Sequence, residues 1–201
     1  MHGLGADEKD MMGVANELSF PAKQVQHVYM SAPHRPVTLN NGMMMPAWYD
    51  IVGLQLSDRE DKLGIEQSYG LINQAITEQR QQGIHEQHIY LAGFSQGGAM
   101  ALYTALRYPG RLGGVIALSA YLPLAQEIVP QLDKQTPFFL GAGRFDPLVL
   151  PAWSQQSQKQ LVRFGYQHIT YREYPMEHSI CFEELQDLNQ WLNSQLQGAN
   201  E

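Results

Sequence analysis

The chain has 201 residues, a single-domain length, and 44% hydrophobic against 16% charged residues mark a sequence that folds around a core. A net charge of −7 with no Lys/Arg run excludes nucleic acid and an anionic membrane surface as partners. The one cysteine, Cys181, excludes an intrachain disulfide. The first residues lack the charged and apolar regions of a signal peptide, and no apolar run is long enough to span a bilayer. The expectation is one domain over 1–201, cytoplasmic and without stable membrane insertion.

Taken in chain order, Glu8 to Leu18 reads as an amphipathic helix, and Val25 to Ala32 as a short strand ending at Pro33. The stretch from His34 to Asp50 reads as a long loop. Its Met43-Met44-Met45 run and Trp48-Tyr49 suit either a satellite core or a wall of an apolar substrate groove. Asp58 to Gln82 is expected to be a long helix, with Ile65, Tyr69, Ile72 and Ile76 at helical spacing and Gly83 as its stop. Then follow His88 to Phe94 (strand), Gln96 to Tyr108 (helix), Gly114 to Ser119 and Phe138 to Ala142 (strands). Ala152 to Phe164 (helix), His168 to Tyr174 (strand) and Phe182 to Leu196 (helix) complete the pattern. Such alternation, with nearly continuous apolar strands, predicts an α/β fold: a mostly parallel sheet with helices on both faces.

The chemistry concentrates at Gly93-Phe94-Ser95-Gln96-Gly97, where an apolar strand turns sharply into a helix of small residues. A Gly-x-Ser-x-Gly turn between strand and helix lifts the serine hydroxyl clear of the sheet and makes Ser95 a nucleophile candidate. Gln96 opens the helix, so its backbone N–H is free to face a developing oxyanion. A serine needs a base, and in this fold an acid and then a histidine follow it along the chain. Of the two later histidines, His168 lies at a strand start and His178 in a loop after a strand, where catalytic groups collect. His178 is therefore the base candidate. Asp146 follows the strand Phe138 to Ala142 at its carboxyl end and is the preferred acid. Asp133 is at the wrong end of that strand, Asp187 falls in a helix, and Glu173 and Glu177 sit too close to His178 along the chain.

A second oxyanion donor is expected in His2-Gly3-Leu4-Gly5, at the backbone N–H of Leu4, with His2 positioning the loop. His85 and His88 have no completing carboxylate or thiol set, so no metal and no cofactor are expected. Cys181 lies near a helix start that could lower its pKa, yet it reads as a buried bystander because Ser95 holds the elbow.

Several segments together resemble the phospholipase/carboxylesterase family, which includes acyl-protein thioesterases. They are His2-Gly3-Leu4-Gly5-Ala6-Asp7, Arg35 to Asn40, Met45-Pro46-Ala47-Trp48-Tyr49-Asp50, Gly93 to Leu102, Leu118 to Pro123, Asp146-Pro147 and Glu177 to Cys181. The resemblance implies an α/β-hydrolase fold and a metal-independent serine esterase. It implies Ser95, Asp146 and His178 as catalytic residues, Leu4 and Gln96 as oxyanion donors, and apolar acyl esters or thioesters as substrates. Met45, Trp48 and Leu148 are the expected substrate-binding residues. Short- to medium-chain esters head the substrate expectation, with acyl-protein thioesters or lysophospholipids as the alternative; an impaired, ligand-binding or self-associating protein is the contrasting class. Two departures stand out. Gly141-Ala142-Gly143 replaces the family's His-Gly pair, implying a looser Asp146 loop. Met1 directly precedes His2, where members carry about two strands, so exposed strand edges and a homodimer are expected.

Overall fold

A computed structural model of the chain describes residues 1–20, 25–53, 55 and 60–198. Four parallel strands form the main sheet in the order β3 (Tyr90–Phe94), β4 (Gly114–Leu118), β5 (Phe138–Gly143), β6 (Ile169–Tyr174). An antiparallel hairpin, β1 (His34–Val37) with β2 (Met43–Pro46), lies apart from it. The helices are α1 (Glu8–Asn16), α2 (Lys62–Gln81), α3 (Gln96–Arg107), α4 (Pro151–Arg163) and α5 (Phe182–Gly198).

The two-residue period of β4 and β5 divides the core. Val115, Ala117, Phe138 and Leu140 point to one face, where they meet α2, α3 and α4 through Ile65, Ile72, Leu102, Leu106 and Leu161. Ile116, Leu118 and Phe139 point to the other, where Leu188, Trp191 and Leu192 of α5 cover them. All five residues of β4 and all six of β5 are buried, as expected of strands with helices on both sides.

Most expected elements form within a residue or two of their sequence limits. The beginning of the second helix, at Asp58, lies outside the described residues; the helix itself runs from the cap Asp61, which accepts from the Gly64 N–H at 3.0 Å. The expectation for Val25 to Ala32 fails. These residues form no strand, and Val25 and Val28 are exposed. A strand exists only through a ladder partner, and among the described residues this segment is held instead at its end, where the Ala32 N–H donates to His2 Nε2 at 2.9 Å. The "loop" from His34 to Asp50 also proves structured, as the hairpin followed by fully buried Trp48 and buried Tyr49.

The outer edge of β3 carries no further strand among the described residues. Met1 runs beside it, donating from its amine to the Ala92 carbonyl at 2.8 Å and accepting from the Phe94 N–H at 3.1 Å. No helix among the described residues is long and apolar enough to cross a membrane.

Glu184, in the first turn of α5, is fully buried and neither carboxylate oxygen has a hydrogen-bond partner among the described residues. Burial pushes its pKa up to about 8 from 4.5. The folded protein thus keeps a proton that the unfolded chain releases, and stability falls as pH rises from about 4.5 to about 8. Glu184→Gln is expected to melt with wild type near the bottom of that range and several degrees above it at the top, as thermal melts across pH will show.

Candidate active site

Ser95 stands between β3 and α3 with φ 53° and ψ −121°, a left-handed conformation costly to a residue with a Cβ. Two glycines permit it. A Cβ on Gly93 would lie 2.2 Å from the Gly97 carbonyl carbon, and one on Gly97 would lie 2.3 Å from the Met1 oxygen. The Ser95 N–H donates to the Leu118 carbonyl at 2.8 Å, which ties the turn to β4.

His178 Nε2 lies 2.9 Å from Ser95 Oγ, and His178 Nδ1 lies 2.7 Å from Asp146 Oδ2. A carboxylate can only accept, so Nδ1 carries the proton and donates, leaving the Nε2 lone pair toward the serine hydroxyl. Asp146 is 2% exposed. Its other oxygen accepts from the Leu148 and Val149 N–H groups at 2.8 and 2.9 Å, which fixes the carboxylate plane. After Gly141-Ala142-Gly143 the acid loop is tied to the histidine loop by backbone: Arg144 N–H donates to the Tyr174 carbonyl at 2.8 Å and Phe145 N–H to that of Met176 at 3.0 Å. A Cβ on Gly143 would meet the Glu177 oxygen at 2.4 Å, showing how closely the acid and histidine loops approach.

The segment from His2 to Gly5 is held from several sides. His2 is fully buried. Its Nε2 accepts from Ala32, so its Nδ1 carries the hydrogen and donates to the Gly3 carbonyl at 2.7 Å. Trp48 Nε1 donates to the His2 carbonyl at 2.9 Å, and the Gly5 N–H donates to Pro46 of the hairpin at 2.8 Å. The N–H groups of Leu4 and Gln96 donate to no other described residue, and both residues line the cavity in front of Ser95. That cavity measures about 550 Å³, and its wall is mostly apolar, with Phe94, Ile51, Leu148, Val149, Trp153 and Ile180.

Of the three substrate-binding expectations, Leu148 lines the cavity, but Met45 and Trp48 do not. Trp48 is fully buried because its indole N–H is anchored on His2 and its backbone on Gln96, so it supports the wall from behind. Met45 has its sulfur turned toward Gly5 and Asn40. Cys181, expected as a buried bystander, is half-buried, and burial pushes its thiol pKa up. His85 and His88 face each other edge to face at 6.2 Å, and no grouping able to hold a metal occurs among the described residues.

The sequence reading overlooked the side chain of Gln96. Its Oε1 accepts from the Trp48 N–H at 2.8 Å and its Nε2 donates to the Tyr49 carbonyl at 2.7 Å, clamping the segment after the hairpin to the elbow. An amide inside the elbow motif was the available signal. Tyr49 lines the cavity, in line with the groove-wall reading of its segment, and so does Tyr121, which was overlooked.

An elbow serine, a histidine and an acid at carboxyl ends of parallel strands define an α/β-hydrolase site. The chain matches the Phospholipase/Carboxylesterase family over residues 1–196 and belongs to it. It is 34% identical to acyl-protein thioesterase 1 of Emericella nidulans over 214 residues, covering 99% of this chain and 90% of the relative. The acyl-protein thioesterase 1 of Cryptococcus neoformans is 36% identical over 213 residues, covering 96% and 89%. Among solved structures, Arabidopsis thaliana SOBER1 superposes with a TM-score of 0.89 at 27% identity over 97% of this chain and 96% of that one. Zea mays acyl-protein thioesterase 2 gives 0.84 at 26% identity over 97% and 91%. The protein is a hydrolase of the esterase/thioesterase kind.

Gln96→Ala would orphan the buried N–H of Trp48 and carbonyl of Tyr49, each costing about 1–3 kcal/mol. A lowered urea midpoint is expected, together with a fall in esterase kcat of about tenfold or more as the elbow-facing segment loosens. Gly97→Ala should cost about 100-fold or more in kcat, because its methyl group must displace the backbone leading to Leu4.

Proposed function

We propose that the protein is a serine carboxylesterase that hydrolyses short- to medium-chain acyl esters through an acyl-enzyme on Ser95. The observation that carries this reading is the hydrogen-bonded line from Asp146 through His178 to Ser95, opening on an apolar cavity of about 550 Å³. Ser95 Oγ attacks the substrate carbonyl while His178 Nε2 takes its proton, and Asp146 stabilises the imidazolium through Nδ1. The negative charge on the former carbonyl oxygen meets the N–H groups of Leu4 and Gln96. When the tetrahedral intermediate collapses, the alcohol leaves with the proton from Nε2. Water then attacks the acyl-enzyme, gives a proton to Nε2, and the acid departs as the proton returns to Ser95.

The mostly apolar wall suits the acyl chain. A second reading, acyl thioesters as substrates, is favoured by the relatives named as acyl-protein thioesterases. The steps are the same, with a thiol leaving.

Wild type should react covalently with a fluorophosphonate probe and release p-nitrophenol from short esters, and Ser95→Ala should do neither. His178→Ala and Asp146→Asn are expected to lower kcat by about 10³–10⁴-fold. Folded wild type that neither labels nor turns over would defeat the proposal and leave a ligand-binding role. Near-normal activity in Asp146→Asn would move the acid to a neighbouring glutamate. Parallel assays with octanoyl oxygen and sulfur esters will separate the two substrate readings.

A further inference from the structure

Among the polar groups of the cavity wall is a pair that an alkyl chain does not need. Tyr49 and Tyr121 both line the cavity, and their hydroxyl groups lie 3.2 Å apart, hydrogen-bonded to one another. Tyr49 comes from the segment clamped by Gln96, and Tyr121 follows β4, where its ring stands edge to face with Trp153 at 6.1 Å. Both rings are therefore held by different elements, and the pair is fixed in place. Burial raises both phenol pKa values, that of Tyr121 to about 12, so both are neutral in neutral solution. Glu60 is the acidic group felt by both; its two oxygens share the Leu124 N–H at 3.1 and 3.0 Å.

Two phenols carry two hydrogens, and the bond between them uses one. The pair therefore keeps one hydrogen and accepting lone pairs for a further partner, at a mostly apolar wall that also includes Asp10 and Gln55. A saturated chain lying across it shields these groups from water and returns nothing, whereas a chain with an oxygen at that point completes the bonding.

We propose that the Tyr49–Tyr121 hydroxyl pair is a polar subsite in the acyl cavity, selecting acyl groups that bear a hydroxyl, ether or keto oxygen over plain alkyl chains of the same length. This rests on the reading of the cavity as the acyl site of an esterase acting through Ser95. Substrate chemistry then differs from simple fatty esters: the acyl group is an oxygenated one of modest length.

The test compares p-nitrophenyl hexanoate with analogues in which an ether oxygen replaces one chain methylene, at each position in turn. Each is assayed with wild type, Tyr121→Phe and Tyr49→Phe, so that differences in intrinsic ester reactivity cancel between enzymes. At one oxygen position, the oxa-to-alkyl ratio of kcat/KM should fall about tenfold or more in either Phe variant relative to wild type. Equal ratios in all three enzymes at every position overturn the subsite. Butyl and methoxyethyl hexanoates provide the second arm. A Tyr-dependent preference seen only there puts the oxygen on the alcohol side and overturns the acyl assignment. Loss of all Ser95-dependent turnover, in contrast, would defeat the esterase reading itself, and labelling by the fluorophosphonate probe distinguishes that result.

Discussion

Ser95 occupies a backbone conformation that its own side chain disfavours, with φ at 53°, and the surrounding structure must hold it there. What holds it is close backbone approach. Gly93 meets Gly97 across the turn, and Gly97 meets the backbone of Met1 and His2 at distances no Cβ could tolerate. The same contacts place the Gln96 N–H at the open end of α3 and bring Leu4 to the same cavity. A single steric requirement thus displays the hydroxyl and brings Leu4 and Gln96 to the cavity in front of it.

Around this turn, polar groups are used as internal fasteners. Gln96, His2 and Trp48 are all buried, and each spends its hydrogen-bonding capacity on backbone from a different stretch of chain. Buried polar groups that are fully paired fix one arrangement, since every alternative leaves a desolvated donor or acceptor. Segments without regular secondary structure, such as the one ending at Ala32, are positioned here by side chains rather than by ladders. On the opposite face, Glu184 has no hydrogen-bond partner among the described residues and burial favours its protonated form, packed so closely on β5 that a Cβ at Gly141 would overlap it.

The cavity reflects a different compromise. Its wall is apolar where it is built from Phe94, Ile51 and Val149, yet it includes a bonded hydroxyl pair supplied by two separate elements. Hydrophobic walls discriminate weakly between chains of similar size, while a fixed hydroxyl discriminates by what it leaves unpaired. In the proposed reading, size and apolar character set the class of acyl group, and the tyrosines set the finer choice.

Sequence periodicity was enough for the sheet strands and the five helices, because β4 and β5 are uniformly apolar and α2 repeats its isoleucines at helical spacing. The elbow was legible for the same reason: a glycine on each side of Ser95 between strand and helix has few other uses. Local pattern could also order Asp146 and His178 along the chain, since the ends of parallel strands lie together. It could not say that Val25 to Ala32 would lack a ladder, for pairing depends on a partner outside the segment. Nor could it tell Trp48 from Leu148, as both are large and apolar, and only the buried bond from the indole to His2 sends one behind the wall while the other faces the cavity. The chain's residues specify the chemistry because strand ends and tight turns are local. The substrate surface belongs to the folded molecule, where Tyr49 and Tyr121, 72 positions apart, are brought to 3.2 Å by packing that no local pattern encodes.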